Sequence, residues 1–157
     1  MLPIKRIMAA VDLSEYSEAT LAYATYLKER LQTELFVVNI INERDVEAVS
    51  MVAQFASNIS VEKYISEQKA YRMEFIKQIL KKIGCAEEGV DITIAVGTPF
   101  SKILELINEK SIDLVIVGAK GRSNIATIFL GSTSERIAKR SPIPVLVVRE
   151  KIAFKEV

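Results

Sequence analysis

No histidine occurs among the 157 residues, and there is only one cysteine, Cys85. The missing histidine removes every Ser-His or Cys-His nucleophile pair and every histidine-ligated metal site. It also removes the side chain best matched to proton transfer near neutral pH. Rapid acid–base catalysis would need another carrier, and none stands out. A lone cysteine cannot staple the fold, so nothing in the chain asks for an oxidising compartment. Surplus positive charge is missing too: 21 Lys and Arg face 20 Asp and Glu, a formal net charge of +1. Proteins that hold nucleic acid by releasing its counterions carry a clear basic excess, so DNA and RNA are not expected partners. No window approaches the roughly eighteen uninterrupted apolar residues of a membrane span. The apolar run that ends at Val11 is too short for a secretion signal. The expectation is a soluble, cytoplasmic protein with no membrane partner.

What the chain does hold is enough apolar material for a core: half its residues are hydrophobic and 26% are charged, the balance of an ordinary globular protein. Its length suits one domain over residues 1–157, with no repeat, linker or low-complexity tract to divide it. Five apolar runs rich in β-branched residues stand out: Ile4–Val11, Glu34–Ile41, Val90–Val96, Asp113–Gly118 and Val145–Val148. Several are apolar without alternation, Leu114-Val115-Ile116-Val117 most plainly, as parallel strands covered on both faces are.

Helical patterns lie between the runs. After Asp12-Leu13-Ser14, Leu21, Ala24, Leu27 and Leu31 recur at helical spacing. A long stripe from Ser60 to Ile83 is closed by Gly84. Thr98-Pro99 reads as an N-cap followed by proline at the first helical position, and Phe100, Ile103, Leu104 and Ile107 follow at i, i+3, i+4 and i+7. A last helix is predicted from Ser132 to about Arg140, ended by Ser141-Pro142. Asn42–Asn58 is less regular, and a helical excursion covering the sheet edge is a simpler reading than a loose flap. The alternation predicts an α/β protein: an open five-stranded parallel sheet, right-handed crossovers, helices on both faces and strand order 3-2-1-4-5.

Open parallel sheets take ligands at the carboxyl ends of their strands, where strand order reverses. Here that point falls between the first and fourth strands, which singles out the loops after Val11 and after Val117. The second reads Gly118-Ala119-Lys120-Gly121-Arg122-Ser123, with Gly131-Ser132-Thr133 further on, and holds three of the six glycines. Glycine lets another group approach the backbone closely. Gly131-Ser132 opens a predicted helix, where free N–H groups and the helix dipole favour an anion. Together these would form a phosphate cradle of main-chain amides, helped by Lys120, Arg122 and the hydroxyls of Ser132 and Thr133. The plainer alternative makes the glycines turn residues and Ser132 with Glu135 a capping box. Asp12 ends the first run; its carboxylate suits ribose hydroxyls, and equally suits an Asx turn into the first helix.

Gly118-x2-Gly121-x9-Gly131-Ser132 resembles the G-x2-G-x9-G-(S/T) signature of ATP-binding universal stress proteins. The similarity extends to Val11-Asp12-x-Ser14, to Gly97-Thr98-Pro99, to Asp113-Leu-Val-Ile-Val-Gly118 and to Ser141-Pro-Ile-Pro-Val-Leu-Val-Val148, and it weakens over Asn42–Ser60. The resemblance implies a Rossmann-like fold of the adenine nucleotide alpha hydrolase kind. It implies that Asp12 holds the ribose and that Ala10, Val11 and the backbone of Ile40 line the adenine. Gly118 would pack by the ribose and first phosphate. Gly121, Arg122, Gly131, Ser132 and Thr133 would surround the phosphates of ATP (or AMP or ADP), with Mg2+ or Mn2+ among their oxygens. Lys120 stands where many relatives have histidine. The resemblance also implies a homodimer through the last strand, 144–148, whose apolar edge is a liability when exposed; the other reading is a monomer with its tail folded over that edge. The protein partner is unknown.

Three functions from different classes follow: a nucleotide-binding regulatory or stress-response protein, a slow ATPase or nucleotidyl transferase, and a nucleotide-free dimeric interaction module. No Walker A or G-x-G-x-x-G pattern follows the first strand. Efficient phosphoryl transfer needs a positioned base or water-orienting group, and only Asp12 is available. The regulatory reading leads.

Overall fold

The computed structural model describes residues 3–119 and 130–149. The two most apolar runs lie side by side at the centre: β1 (Arg6–Ala10) pairs with β4 (Leu114–Gly118), Ile7 to Ala10 opposite Leu114 to Val117. Their central residues are covered from both faces, which is why neither run alternates. β2 (Glu34–Asn42) flanks β1, β3 (Val90–Gly97) closes one edge and β5 (Val145–Val148) the other. All pairings are parallel and the order is β3-β2-β1-β4-β5, as expected from the sequence.

Each face carries its own core. On one side α1 (Ser17–Leu31) and α3 (Val61–Lys82) cover Ile7, Ala9, Leu35, Val37, Leu114 and Ile116. On the other, α4 (Pro99–Glu109) and α5 (Ser132–Arg140) cover Met8, Val38, Val115 and Val117. The buried stripe of α3 is short: Arg72, Ile76 and Leu80, at i, i+4 and i+8. Two apolar positions and one cation therefore face the sheet. Tyr71, one residue off the stripe, is exposed.

The irregular segment after β2 forms α2 (Glu43–Ala53), capped by the Asn42 side chain, which accepts the Arg44 N–H at 3.1 Å. It is a helix, but it covers little. None of its residues is buried, and Met51, Val52 and the following Phe55 are exposed. Among the described residues, no helix is long and apolar enough to cross a membrane.

Two local expectations are corrected. Thr98 does stand at the N-cap of α4, yet its hydroxyl does not cap; it donates to the Glu43 carboxylate and ties α4 to α2. Ser132 is not an N-cap and forms no capping box. Gly131 holds that position, because its carbonyl takes the first helical bond, from Glu135 N–H at 2.8 Å. Glu135 instead pairs with Lys139, one turn on.

Candidate functional site at the carboxyl end of the sheet

β1 ends at Ala10 while β2 runs on to Asn42, so β1 stops short of its neighbour beside the β1/β4 point where strand order reverses. A cavity of about 390 Å3 opens in that step. Ala10, Val11, Asp12, Ile40, Gly118, Gly131, Ser132 and Thr133 all line it. Lys120, Gly121 and Arg122, expected beside them, lie outside the described residues.

The chain leaves β1 through a turn fixed by Asp12. Its Oδ1 accepts the Ser14 N–H at 3.0 Å, an Asx turn, and Leu13 between them has φ 62°. The Asx-turn reading of this residue holds, and Asp12 also lines the cavity. Beyond the turn, Tyr16, Ser17 and Thr20 of α1 reach the same space. Ser17 is buried and its Oγ has no hydrogen-bond partner among the described residues.

On the opposite side α5 begins at the end of β4. Gly131 N–H donates to Ala119 carbonyl at 2.7 Å, and the Ser134 hydroxyl donates to Gly118 carbonyl at 2.6 Å. These two bonds press the helix start against the strand end. The N–H groups of Ser132, Thr133 and Ser134 belong to the first turn and have no carbonyl to reach within the helix. Among the described residues, no side chain caps this helix start. Three donors and the positive end of a helix dipole therefore face the cavity wall, a setting that suits an anion.

Between these ends the walls differ by face. Val38, Ile103, Val117 and Ile137 make an apolar side under α4 and α5. On the α1/α3 side lie Asn39 and Arg72, 1% and 5% exposed. Arg72 Nη1 donates to Asn39 Oδ1 at 2.9 Å and to Ile40 carbonyl at 3.3 Å, and Asn39 Nδ2 donates to Val11 carbonyl at 2.8 Å. The sequence reading missed both residues. The signal was an arginine four and eight residues before the buried Ile76 and Leu80, and an asparagine inside an apolar strand.

The register also settles where Ile40 points. Glu34 N–H donates to Lys5 on β1, and Leu35 N–H to Gly89 on the β3 side. Main-chain groups of a strand alternate in direction, so even-numbered residues of β2 face β1. Val38 keeps to this, accepting from Val11 N–H at 2.9 Å. Two residues on, Ile40 turns its N–H and C=O to the same side, above the point where β1 has ended. A donor and an acceptor are thus presented side by side at the cavity. Among the described residues, no group of three or more acidic or cysteine side chains is placed to hold a metal ion.

The sequence profile of the Universal stress protein family matches residues 3–149. The universal stress protein MJ0577 of Methanocaldococcus jannaschii is 30% identical over 158 residues, covering 94% of this chain and 96% of its own. A solved structure of MJ0577 superposes with a TM-score of 0.71 at 28% identity, over 97% of this chain and 100% of that one. A universal stress protein in complex with cAMP shares the fold, with a TM-score of 0.61 at 20% identity, over 94% and 98% of the two chains. So does the Archaeoglobus fulgidus protein in complex with dAMP, with a TM-score of 0.56 at 15% identity, over 95% and 100%.

Proposed function

The chain belongs to the universal stress protein family, and from that premise we propose that its cavity holds an adenine nucleotide, ATP foremost, as a regulatory ligand and not as a rapidly turned-over substrate. The observation that carries the reading is the pairing of an anion-seeking helix start at Gly131–Ser134, held against Gly118, with an apolar wall across the cavity. The volume lies within the range of about 300–1,000 Å3 usual for small-molecule sites. Proteins of this fold hold cAMP and dAMP.

In this arrangement the base lies between Val38, Ile40 and Ile103. The Ile40 carbonyl accepts the exocyclic N6–H of adenine and the Ile40 N–H donates to N1. Asp12 takes the ribose hydroxyls through its carboxylate. The phosphates meet the amides of Ser132, Thr133 and Ser134, with Lys120, Gly121 and Arg122 as further contacts. Mg2+ or Mn2+ would accompany the triphosphate, and Asp12 and Asp45 are the acidic residues among those lining the cavity that would help hold it. The chain has no histidine, and among the described residues lining the cavity the carboxylates are Asp12 and Asp45; slow turnover at most is the reading this supports.

Asn42 and Asp45, at the start of α2, also line the cavity, so occupancy is read outside by this helix with no buried residue. The assembly is a homodimer through the outer edge of β5. Denaturing the purified protein and identifying the nucleotide it releases tests the central claim. Recovery of none, together with no binding of added ATP, leaves only a dimeric interaction module. A change in protease sensitivity of residues 42–60 on adding ATP tests the role of α2.

A further inference from the structure

The geometry points to Arg72 as a residue that sets base specificity without belonging to the glycine signature. This inference rests on the adenine reading above.

Burying a guanidinium is costly unless its hydrogens find fixed acceptors, and Arg72 has been brought to the rim of the cavity on the inward stripe of α3. Its Nε donates to Gln68 Oε1 at 3.2 Å, one turn back along the helix, which orients the plane of the group. The two hydrogens of Nη1 then go to Asn39 Oδ1 and to Ile40 carbonyl. Asn39 passes the contact on to Val11 carbonyl, at the end of β1. The ends of β1 and β2 are thereby clasped just past their last main-chain bond, from Val11 N–H to Val38 carbonyl.

Ile40 carbonyl is the acceptor that distinguishes adenine from guanine in this pose. Adenine presents a donor at N6 and an acceptor at N1; guanine presents an acceptor at O6 and a donor at N1. Against a fixed C=O and N–H, guanine meets both mismatched. The mismatch counts only if the carbonyl is held. Arg72 supplies the restraint that β1, having ended, does not. Its role is positioning: it acts on the base through Ile40.

The experiment titrates ATP, GTP and inorganic tripolyphosphate into wild type, Arg72→Met and Arg72→Lys, with thermal melts of each. Wild type is expected to prefer ATP to GTP by about tenfold or more, the worth of a mismatched hydrogen-bond pair. Arg72→Met should cut that preference by about tenfold while tripolyphosphate affinity stays within about threefold, since the α5 end is untouched. Arg72→Lys keeps a charge but not a planar pair of hydrogens, and should fall between. Equal weakening of ATP and GTP in Arg72→Met, or a sharpened preference for ATP, overturns the inference. If Arg72→Met does not fold, an unchanged ATP:GTP ratio in Arg72→Lys overturns it. Wild type that binds ATP and GTP alike, or neither, refutes the adenine reading itself and takes this inference with it.

Discussion

Replacing Gly131 by valine separates the cavity from the fold. Gly131 has φ −58° and ψ 154°, extended backbone that valine adopts without strain. Its N–H is bonded to Ala119 and its carbonyl to Glu135 N–H, so the main chain is pinned on both sides of the new side chain. Valine is a poorer N-cap than glycine, at a cost of about 1 kcal/mol, which for a protein of this size lowers Tm by roughly 2–4 °C. Binding should suffer far more. Gly131 forms the cavity wall beside the amides of Ser132 to Ser134, and a branched side chain there holds phosphate oxygens away from them. Losing two charge-assisted hydrogen bonds, each worth about 1.5–3 kcal/mol, weakens ATP by about 3–6 kcal/mol, or roughly 10²- to 10⁴-fold. Isothermal titration with ATP, beside thermal melts of both proteins, reads the two costs independently. A folded Gly131→Val protein that binds ATP within about threefold of wild type would refute the phosphate cradle.

Three other outcomes are expected. Asp12→Asn keeps the oxygen that accepts Ser14 N–H, so the turn survives; ATP should weaken by about 1–2 kcal/mol, and the loss should vanish with 2′,3′-dideoxy-ATP. Equal losses for both ligands would exclude the ribose contact. Ile76→Ala opens a hole in a core where Ile76 is fully buried, and should cost about 2–5 kcal/mol in urea denaturation; a cost below about 1 kcal/mol would mean that α3 is not packed as described. On β5, Pro144 and Val148 turn their carbonyls to β4, so Val147 presents its N–H outward. Val147→Pro removes that donor while sparing the β4 ladder, and sedimentation should show a monomer; a dimer of unchanged stability would place the interface elsewhere.

The strands were readable because burial on both faces leaves an apolar run unbroken, as at Leu114–Val117. Gly118, Gly131 and Asp12 were readable because a topological argument named their loops before any motif was weighed. Two local signals were overridden, each because a tertiary partner was favoured over a local one. Ser132 with Glu135 matched a capping box, yet the bond from Gly131 N–H to Ala119 moved the cap back by one residue. The Thr98 hydroxyl, poised to cap α4, went to Glu43 of another helix. In α3 the long stripe gave no sign of which residues face the sheet; the rotation of the helix buries Arg72 and leaves Tyr71 exposed.

Periodicity and composition alone determined that the chain forms a parallel sheet with helices on both faces, and the histidine count alone closed the Ser-His, Cys-His and histidine-ligated metal routes. Both are properties of residue type and spacing, and hold in any arrangement the chain adopts. The cavity is different. It exists because β1 stops two residues short of the level of Ile40, and because α3 turns Arg72 and not Tyr71 inward. Those facts depend on how separate elements meet across 33 residues of chain between Asn39 and Arg72. No local pattern encodes such a meeting, because the free energy that decides it comes from packing partners distant in sequence.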